Sequence, residues 1–294
     1  MGTWIVQKRI ERMAIVFSLC GALLVRLLGG IARAEDGRAL NLEGWQSLEI
    51  GLDLGDFRAH ILSDVGDSRI TVLRIDPERF RLVLANASTM PDLRTRTARE
   101  WASDKGLVAA INASMYREDH RTSLGLMRGA SHINNAVLTK DKAVLAFDPM
   151  SDAVASVQII DRDCQDFDTL RPQYGTLVQS IRMVDCHQQN VWGQQPTKWS
   201  TAAIGIDKSG RVLFLFTRSP YSTHNFIEIL LRLPIDLYNA MYVEGGPEAQ
   251  LYVNAGGVEV EKFGSFETGF FESDENDQAW PVPNIIGVVR LNDK

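Results

Sequence analysis

Short apolar runs that stop abruptly at turn residues constrain this chain more than any other feature of its sequence. The clearest is Tyr238 to Val243, which ends at Glu244 and is followed by Gly245-Gly246-Pro247 before a second apolar run begins at Ala249. Runs this short, bounded by glycine and proline, read as buried strands. Glu244 is therefore expected at a strand end, where the backbone turns sharply and a ligand can approach closely. Binding and catalytic groups concentrate on loops held by rigid strands. The plainer alternative is a Gly-Gly-Pro turn with a solvated glutamate.

The same reading extends along the chain. Leu48, Ile50, Leu52 and Leu54 alternate with polar or small residues, as in one half-buried strand. Ile70 to Ile75 and Phe80 to Ala85 flank Asp76-Pro77-Glu78 and predict a hairpin. Thr201 to Ile206 and Arg211 to Thr217 flank Asp207-Lys208-Ser209-Gly210, a second hairpin signal. Further strands are expected at 107–111, 143–147, 156–160 and 285–291. Two helices stand out. Thr97-Ala98-Arg99-Glu100 is a capping box with Gly106 as the stop, ahead of the strand at Leu107. Thr223 to Leu233, with Thr223 as cap, carries Phe226, Ile227, Leu230 and Leu231 on one face and ends at Pro234. Many strands with few helices, not in strict alternation, indicate an α+β fold in one strand-rich domain.

The N-terminus points to export. Lys8, Arg9 and Arg12 precede a short apolar stretch, Met13 to Val25, and Ala32-Arg33-Ala34 forms an A-x-A cleavage signal. Arg26 interrupts the stretch before it reaches the ~20 apolar residues a spanning helix needs. The expectation is a signal peptide over 1–34, a mature domain over 35–294, a periplasmic or secreted location, and no membrane insertion after cleavage. Cleavage removes Lys8, Arg9, Arg12, Arg26, Arg33 and Glu11, leaving 26 basic and 36 acidic residues, a net charge of −10. Nothing in that balance suits a nucleic-acid partner. Cys164 and Cys186 remain in the mature chain, and two cysteines in an oxidising compartment suggest one disulfide. Asp185-Cys186-His187 sets donors side by side rather than at metal-knuckle spacing. No metal and no cofactor are expected.

Other candidates are weaker. The stretch from Gly264 to Trp280 carries Glu267, Glu272, Asp274, Glu275 and Asp277 without a basic residue. It reads as a solvated acidic loop, or a cover over a cleft or core. No G-x-S-x-G elbow occurs, and His120 and His224 read as surface or structural residues.

Four segments in order resemble the phosphodiester glycosidase family. Ala109-Ala110-Ile111-Asn112-Ala113-Ser114-Met115-Tyr116 is similar to the family's A-x-N-G-G-F-F/Y strand and turn. Thr201-Ala202-Ala203-Ile204-Gly205-Ile206 is similar to its R-T-A-I-G strand. Tyr238 to Tyr252 resembles its A-L-N-L-D-G-G-x-S-S strand and turn, and Val282-Pro283-Asn284 its closing V-P-N strand. The resemblance implies that family's fold and a carbohydrate or glycosyl phosphodiester substrate. The alternative is a catalytically inactive glycan- or protein-binding module on the same scaffold. The family's Asp before Gly-Gly is Glu244 here, its two serines fall on Glu248 and Ala249, and its Arg aligns with Thr201.

Cleavage of a glycosidic bond passes through an oxocarbenium-like state and generally uses two carboxyl groups. Glu244 is expected as base or nucleophile and Glu248 as its partner, with Glu118 and Asp119 as further carboxylates. Asn112 and Tyr116, with Gly245 and Gly246 of the turn, are expected to contact substrate. Tyr116 and Trp280 offer faces for a sugar ring, or simply pack. Arg218 is a candidate for the phosphate in place of the missing Arg, as are Arg121 and Arg182. Together these assignments require Glu244 and Asn112 to meet in one hollow.

Overall fold

The computed structural model describes residues 44–291, so the expected signal peptide and its cleavage site lie outside the described residues. The described chain forms three antiparallel sheets. The largest has seven strands, in the order Gly44–Glu49, Leu52–Arg58, Arg69–Ile75, Val212–Tyr221, Trp199–Asp207, Leu237–Gly245 and Arg182–Val184. A five-stranded sheet runs Val258–Phe263, Gln250–Ala255, Ala109–Asn112, Asn284–Arg290 and Phe80–Asn86. Another runs Ile133–Asn135, Met127–Arg128, Tyr174–Ser180, Ala143–Pro149 and Val157–Asp161. One core cluster draws on all three, with Phe214, Ile204 and Val243 from the first, Ile111, Leu251 and Ile286 from the second, and Leu145, Ile159 and Val178 from the third. Burial of this apolar surface is the main force holding the sheets together.

Local chemistry explains where the helices lie. Ala98–Lys105 begins at Thr97, whose hydroxyl accepts from Glu100 N while Glu100 accepts from Thr97 N. It ends at Gly106 in the left-handed region. Its buried face, Ala98, Trp101 and Ala102, packs on the sheet that holds Ala109–Asn112. Thr223–Arg232 lays Phe226, Ile227, Ile229 and Leu230 on the outer face of the seven-stranded sheet, against Val72, Leu213 and Leu215. Its cap is Ser222, which accepts from Asn225 N, rather than Thr223. A serine with extended backbone fits that role as well as a threonine does. Among the described residues no helix is long and apolar enough to cross a membrane.

Two strand expectations need correction. The alternating run from Leu48 to Leu54 is two strands, because Gly51 takes a φ of +83° and Ile50 turns outward, 83% exposed. The Asp76-Pro77-Glu78 turn forms, with Phe80 N donating to Asp76 O (3.0 Å), but it closes no hairpin. Arg69–Ile75 joins the seven-stranded sheet and Phe80–Asn86 a different one. The Asp207–Gly210 turn does close its hairpin.

Cys164 and Cys186 form a disulfide with Cα atoms 6.5 Å apart. It ties the segment after Val157–Asp161 to the end of Arg182–Val184. Asp161 reinforces the junction by accepting from Cys186 N (3.2 Å) and Arg182 Nη1 (2.6 Å). Replacing both cysteines by serine is expected to cost about 2–4 kcal/mol, through the freed entropy of the unfolded loop. Chemical denaturation with and without reductant checks this. Equal midpoints for the oxidised protein and the double variant would contradict it.

Candidate active site

The strand Leu237–Gly245 and its partner Trp199–Asp207 carry the site to the edge where the seven-stranded sheet hands the chain to the next. Their register shifts between Ala202 and Ala203, so that Tyr242 lies opposite Ala203 while Glu244 lies opposite Ala202. The chain then passes through Gly245 and the short turn Gly246–Glu248 into Gln250–Ala255 of the second sheet. The two glycines are required here. A Cβ at Gly245 would collide with the Tyr242 hydroxyl and stand 2.9 Å from the Trp199 ring. Gly246 has a φ of +64°, and a Cβ there would strike a Glu267 carboxylate oxygen. The close approaches at this turn are made by the protein's own side chains.

Three carboxyl groups converge at the turn. Burial, the negative charge of Glu248 and, more weakly, that of Glu267 push the Glu244 carboxyl up to about 8, against one favourable hydrogen bond from Gly245 N (3.1 Å). Burial also raises Glu267. Two phenols share the neighbourhood. Burial, then Glu244 and Glu248, raises Tyr116, and burial, then Glu244, Glu267 and Glu248, raises Tyr242 well above its ordinary range. Trp199 completes the wall. Its ring packs edge-on to Tyr242 (6.5 Å between centroids), and its buried indole N–H, beside Gly245, has no hydrogen-bond partner.

Asn112 is present at the turn but spends its side chain on backbone. Its Nδ2 donates to Glu248 O (2.9 Å) and its Oδ1 accepts from Gln250 N (2.7 Å). Only 1% of the residue is exposed. Strand Ala109–Asn112 thereby pins the crossover between the two sheets and fixes where Glu248 projects. Asn112→Ala should cost about 1–3 kcal/mol by leaving the buried Gln250 N–H unpaired and Glu248 O with only a long bond from Gln250 Nε2 (3.4 Å). Thermal denaturation of the variant checks this, and an unchanged midpoint would contradict it.

The other expected residues divide sharply. Tyr116 lies close enough to Glu244 and Glu248 to feel their charge. Arg218 does not serve the turn. Its guanidinium donates to Asp274 Oδ1 (2.6 Å), Phe263 O (3.0 Å), Asp274 O (2.9 Å) and Asn276 O (2.8 Å), which clamps the acidic loop. Those four bonds engage all three guanidinium nitrogens. Asp119 folds onto its own loop, where the Thr122 hydroxyl and the Thr122 and Arg121 N–H groups hold it at about 2. Trp280 packs edge-on to Phe270, with its N–H on Asn276 (3.2 Å).

Sequence reasoning missed Glu267, Tyr242 and Trp199 as site residues. Glu267 reads as one of several acids in a polar loop, yet its backbone pairs with Trp199 and Phe271, and its carboxylate reaches Gly246. Tyr242 stands two residues before Glu244, but the shifted register sets the pair opposite the consecutive residues Ala203 and Ala202, so strand alternation does not announce it.

Comparison with known proteins bears on this geometry. The family model for phosphodiester glycosidases matches residues 105–289, a span that includes Asn112, Glu244, Glu248 and Glu267. Among solved structures, the zebrafish N-acetylglucosamine-1-phosphodiester alpha-N-acetylglucosaminidase catalytic domain, auto-inhibited by its pro-peptide, is similar at a TM-score of 0.57 and 11% identity. The match covers 83% of this chain and 85% of that one. A hypothetical protein from Synechocystis is similar at a TM-score of 0.56 and 14% identity, over 81% of this chain and 62% of that one. At these identities the likeness establishes a shared fold. A search of curated proteins gave no match.

Proposed function

The chain belongs to the phosphodiester glycosidase family, and from that premise we propose that it is an exported hydrolase of sugars linked through a phosphodiester, with Glu244 holding the proton that the reaction needs. The observation that carries this reading is the convergence of Glu244, Glu248 and Glu267 on one turn, in surroundings that keep Glu244 protonated at neutral pH. A carboxyl that holds its proton beside other acids is an arrangement from which one site can supply both acid and base. The assignment reverses the roles expected from sequence, where Glu244 was base or nucleophile.

Protonation also answers the missing arginine. A phosphodiester is an anion, and a fully ionised cluster would repel it. A neutral Glu244 removes one negative charge and presents a hydrogen-bond donor to a phosphoryl oxygen. In the proposed reaction the bond from the anomeric carbon to the phosphate oxygen breaks, and its electron pair stays on that oxygen. Glu244 gives its proton to the departing group. Water adds to the anomeric carbon and loses its proton to the Glu248 carboxylate, whose position Asn112 sets through the turn. The buried Trp199 indole N–H, beside Gly245, is a polar group left without a hydrogen-bond partner. A non-catalytic binding module would have little use for three buried or half-buried acids.

Export is part of the proposal. It is supported by the disulfide, which suits an oxidising compartment. The test is a pH–rate profile on a panel of glycosyl phosphodiesters. Activity should decline above pH about 8 as Glu244 loses its proton. A rate that holds steady through that region, or no hydrolysis of any member at any pH, contradicts the proposal.

A further inference from the structure

A hollow lies near the strand that carries Tyr242, whose ring is 6.2 Å from that of Trp192. It has a volume of about 360 Å³, within the range of small-ligand pockets. Trp192, Ile181 and Val191 form its apolar wall, and Lys140, Asp141 and Arg182 are among its polar groups. We propose that this cavity binds a sugar unit of an extended glycan, with the ring stacked on Trp192.

Trp192 is held as a platform. Its indole N–H donates to Arg182 O (2.7 Å), its backbone N–H donates to Asn190 Oδ1 (3.1 Å), and its carbonyl accepts from His224 Nδ1 (2.5 Å). An aromatic face fixed in advance binds without a further ordering cost. Beside it Gly193 presents no side chain, and nothing stands within 4 Å of where one would begin.

The charges select the ligand class. Arg182 is paired with Asp161 (2.6 Å) and Asp163 (3.1 Å), and Lys142 with Asp163 (2.7 Å). What remains is Lys140, exposed and without an ion-pair partner among the described residues, and Asp141, whose carboxylate accepts from the Thr139 hydroxyl (2.7 Å). The cavity therefore has donors and an acceptor but little net charge. A bare phosphate would find Arg182 and Lys142 already answered and only Lys140 left to it. Sugar hydroxyls both donate and accept, and the axial C–H faces of a gluco-configured ring suit an indole.

The hollow is joined to the turn through one residue. Trp192 lies 6.2 Å from the Tyr242 ring, and Ile181 O accepts from Tyr242 N (2.9 Å). Tyr242 in turn places its hydroxyl against Gly245. A glycan with its reacting end at Glu244 would thus have its next unit within reach of Trp192. That adjacency rests on the proposed role of Glu244, whereas sugar binding in the cavity stands by itself.

Isothermal titration of the intact mature protein with cellotetraose, chitotetraose and inorganic phosphate separates the cases. At least one oligosaccharide should bind saturably, and phosphate should not compete for it. Trp192→Ala should weaken binding about 10-fold or more, consistent with loss of one stacking contact. Because Trp192 also packs on the core, Lys140→Ala at the exposed rim serves as a second variant, expected to weaken binding several-fold with no change in melting temperature. Failure of both oligosaccharides to bind, phosphate displacing them, or binding unmoved by either variant overturns the proposal. Loss of the Glu244 pH dependence with sugar binding intact would instead overturn only the catalytic reading.

Discussion

Glu244→Gln is expected to slow hydrolysis of glycosyl phosphodiesters by about 10²–10⁴-fold, the usual worth of a general acid, while making the protein more stable at alkaline pH. The two effects share one cause. Glutamine keeps the shape and a hydrogen-bond donor but has no proton to give. It also has no charge to bury. In the folded protein the Glu244 carboxyl sits at about 8, against an ordinary 4.5. Folding therefore favours the protonated form. The stability this lends is fully present below about pH 4.5 and is lost as pH rises through about 8. At 1.36 kcal/mol for each pKa unit, the wild type should lose about 3–5 kcal/mol across that window relative to the variant. Denaturation of both proteins at acid and alkaline pH reads the difference. A variant with wild-type activity, or stabilities that run parallel at all pH values, would remove Glu244 from the role given to it.

Gly264→Ala should damage the site from a distance, through backbone alone. A Cβ at Gly264 would run into the carbonyl oxygen of Gly246 and stand 2.9 Å from Ser200 Cβ. Neither obstacle is the end of a flexible side chain. Gly264 N also donates to Ala249 O (2.8 Å), so the loop cannot back away without breaking that bond. We expect a loss of about 3 kcal/mol or more from such overpacking. Activity should fall too, because the displaced backbone is the turn between Glu244 and Glu248. Gly129→Ala is the control. Its Cβ would meet only Leu84 Cδ2, at an ordinary 3.9 Å, so a change within about 0.5 kcal/mol is expected. Equal melting temperatures for Gly264→Ala and wild type would show that the two loops are not wedged together as described.

What the sequence disclosed follows from the range of each interaction. The helix Ala98–Lys105 was legible because Thr97, Glu100 and Gly106 act within a single turn of backbone. The hairpin at Asp207–Gly210 was legible for the same reason. The turn at Asp76 was legible too, but not that its two strands part company. Which sheet a strand joins depends on partners far along the chain. At the site, the acid before Gly-Gly announced itself by interrupting an apolar run. Asn112 was identified and its duty was not, since an amide at a strand end looks the same whether it faces a sugar or, as here, the carbonyl of Glu248. Glu267 gave no local sign, because only the pairing of its loop with Trp199 brings it to Gly246. Arg218 illustrates the reverse error. A guanidinium near the right strand invited a role with phosphate, but Asp274 and three carbonyls occupy it.

The central claim is that Glu244 carries a proton at neutral pH, and direct titration of its side-chain carboxyl tests it. With glutamate labelled by carbon-13, the resonance absent from Glu244→Gln identifies this group. Its shift should move with a midpoint at about pH 8. A midpoint near the ordinary 4.5 would mean the carboxyl is ionised at neutral pH, and the proposed acid would not exist.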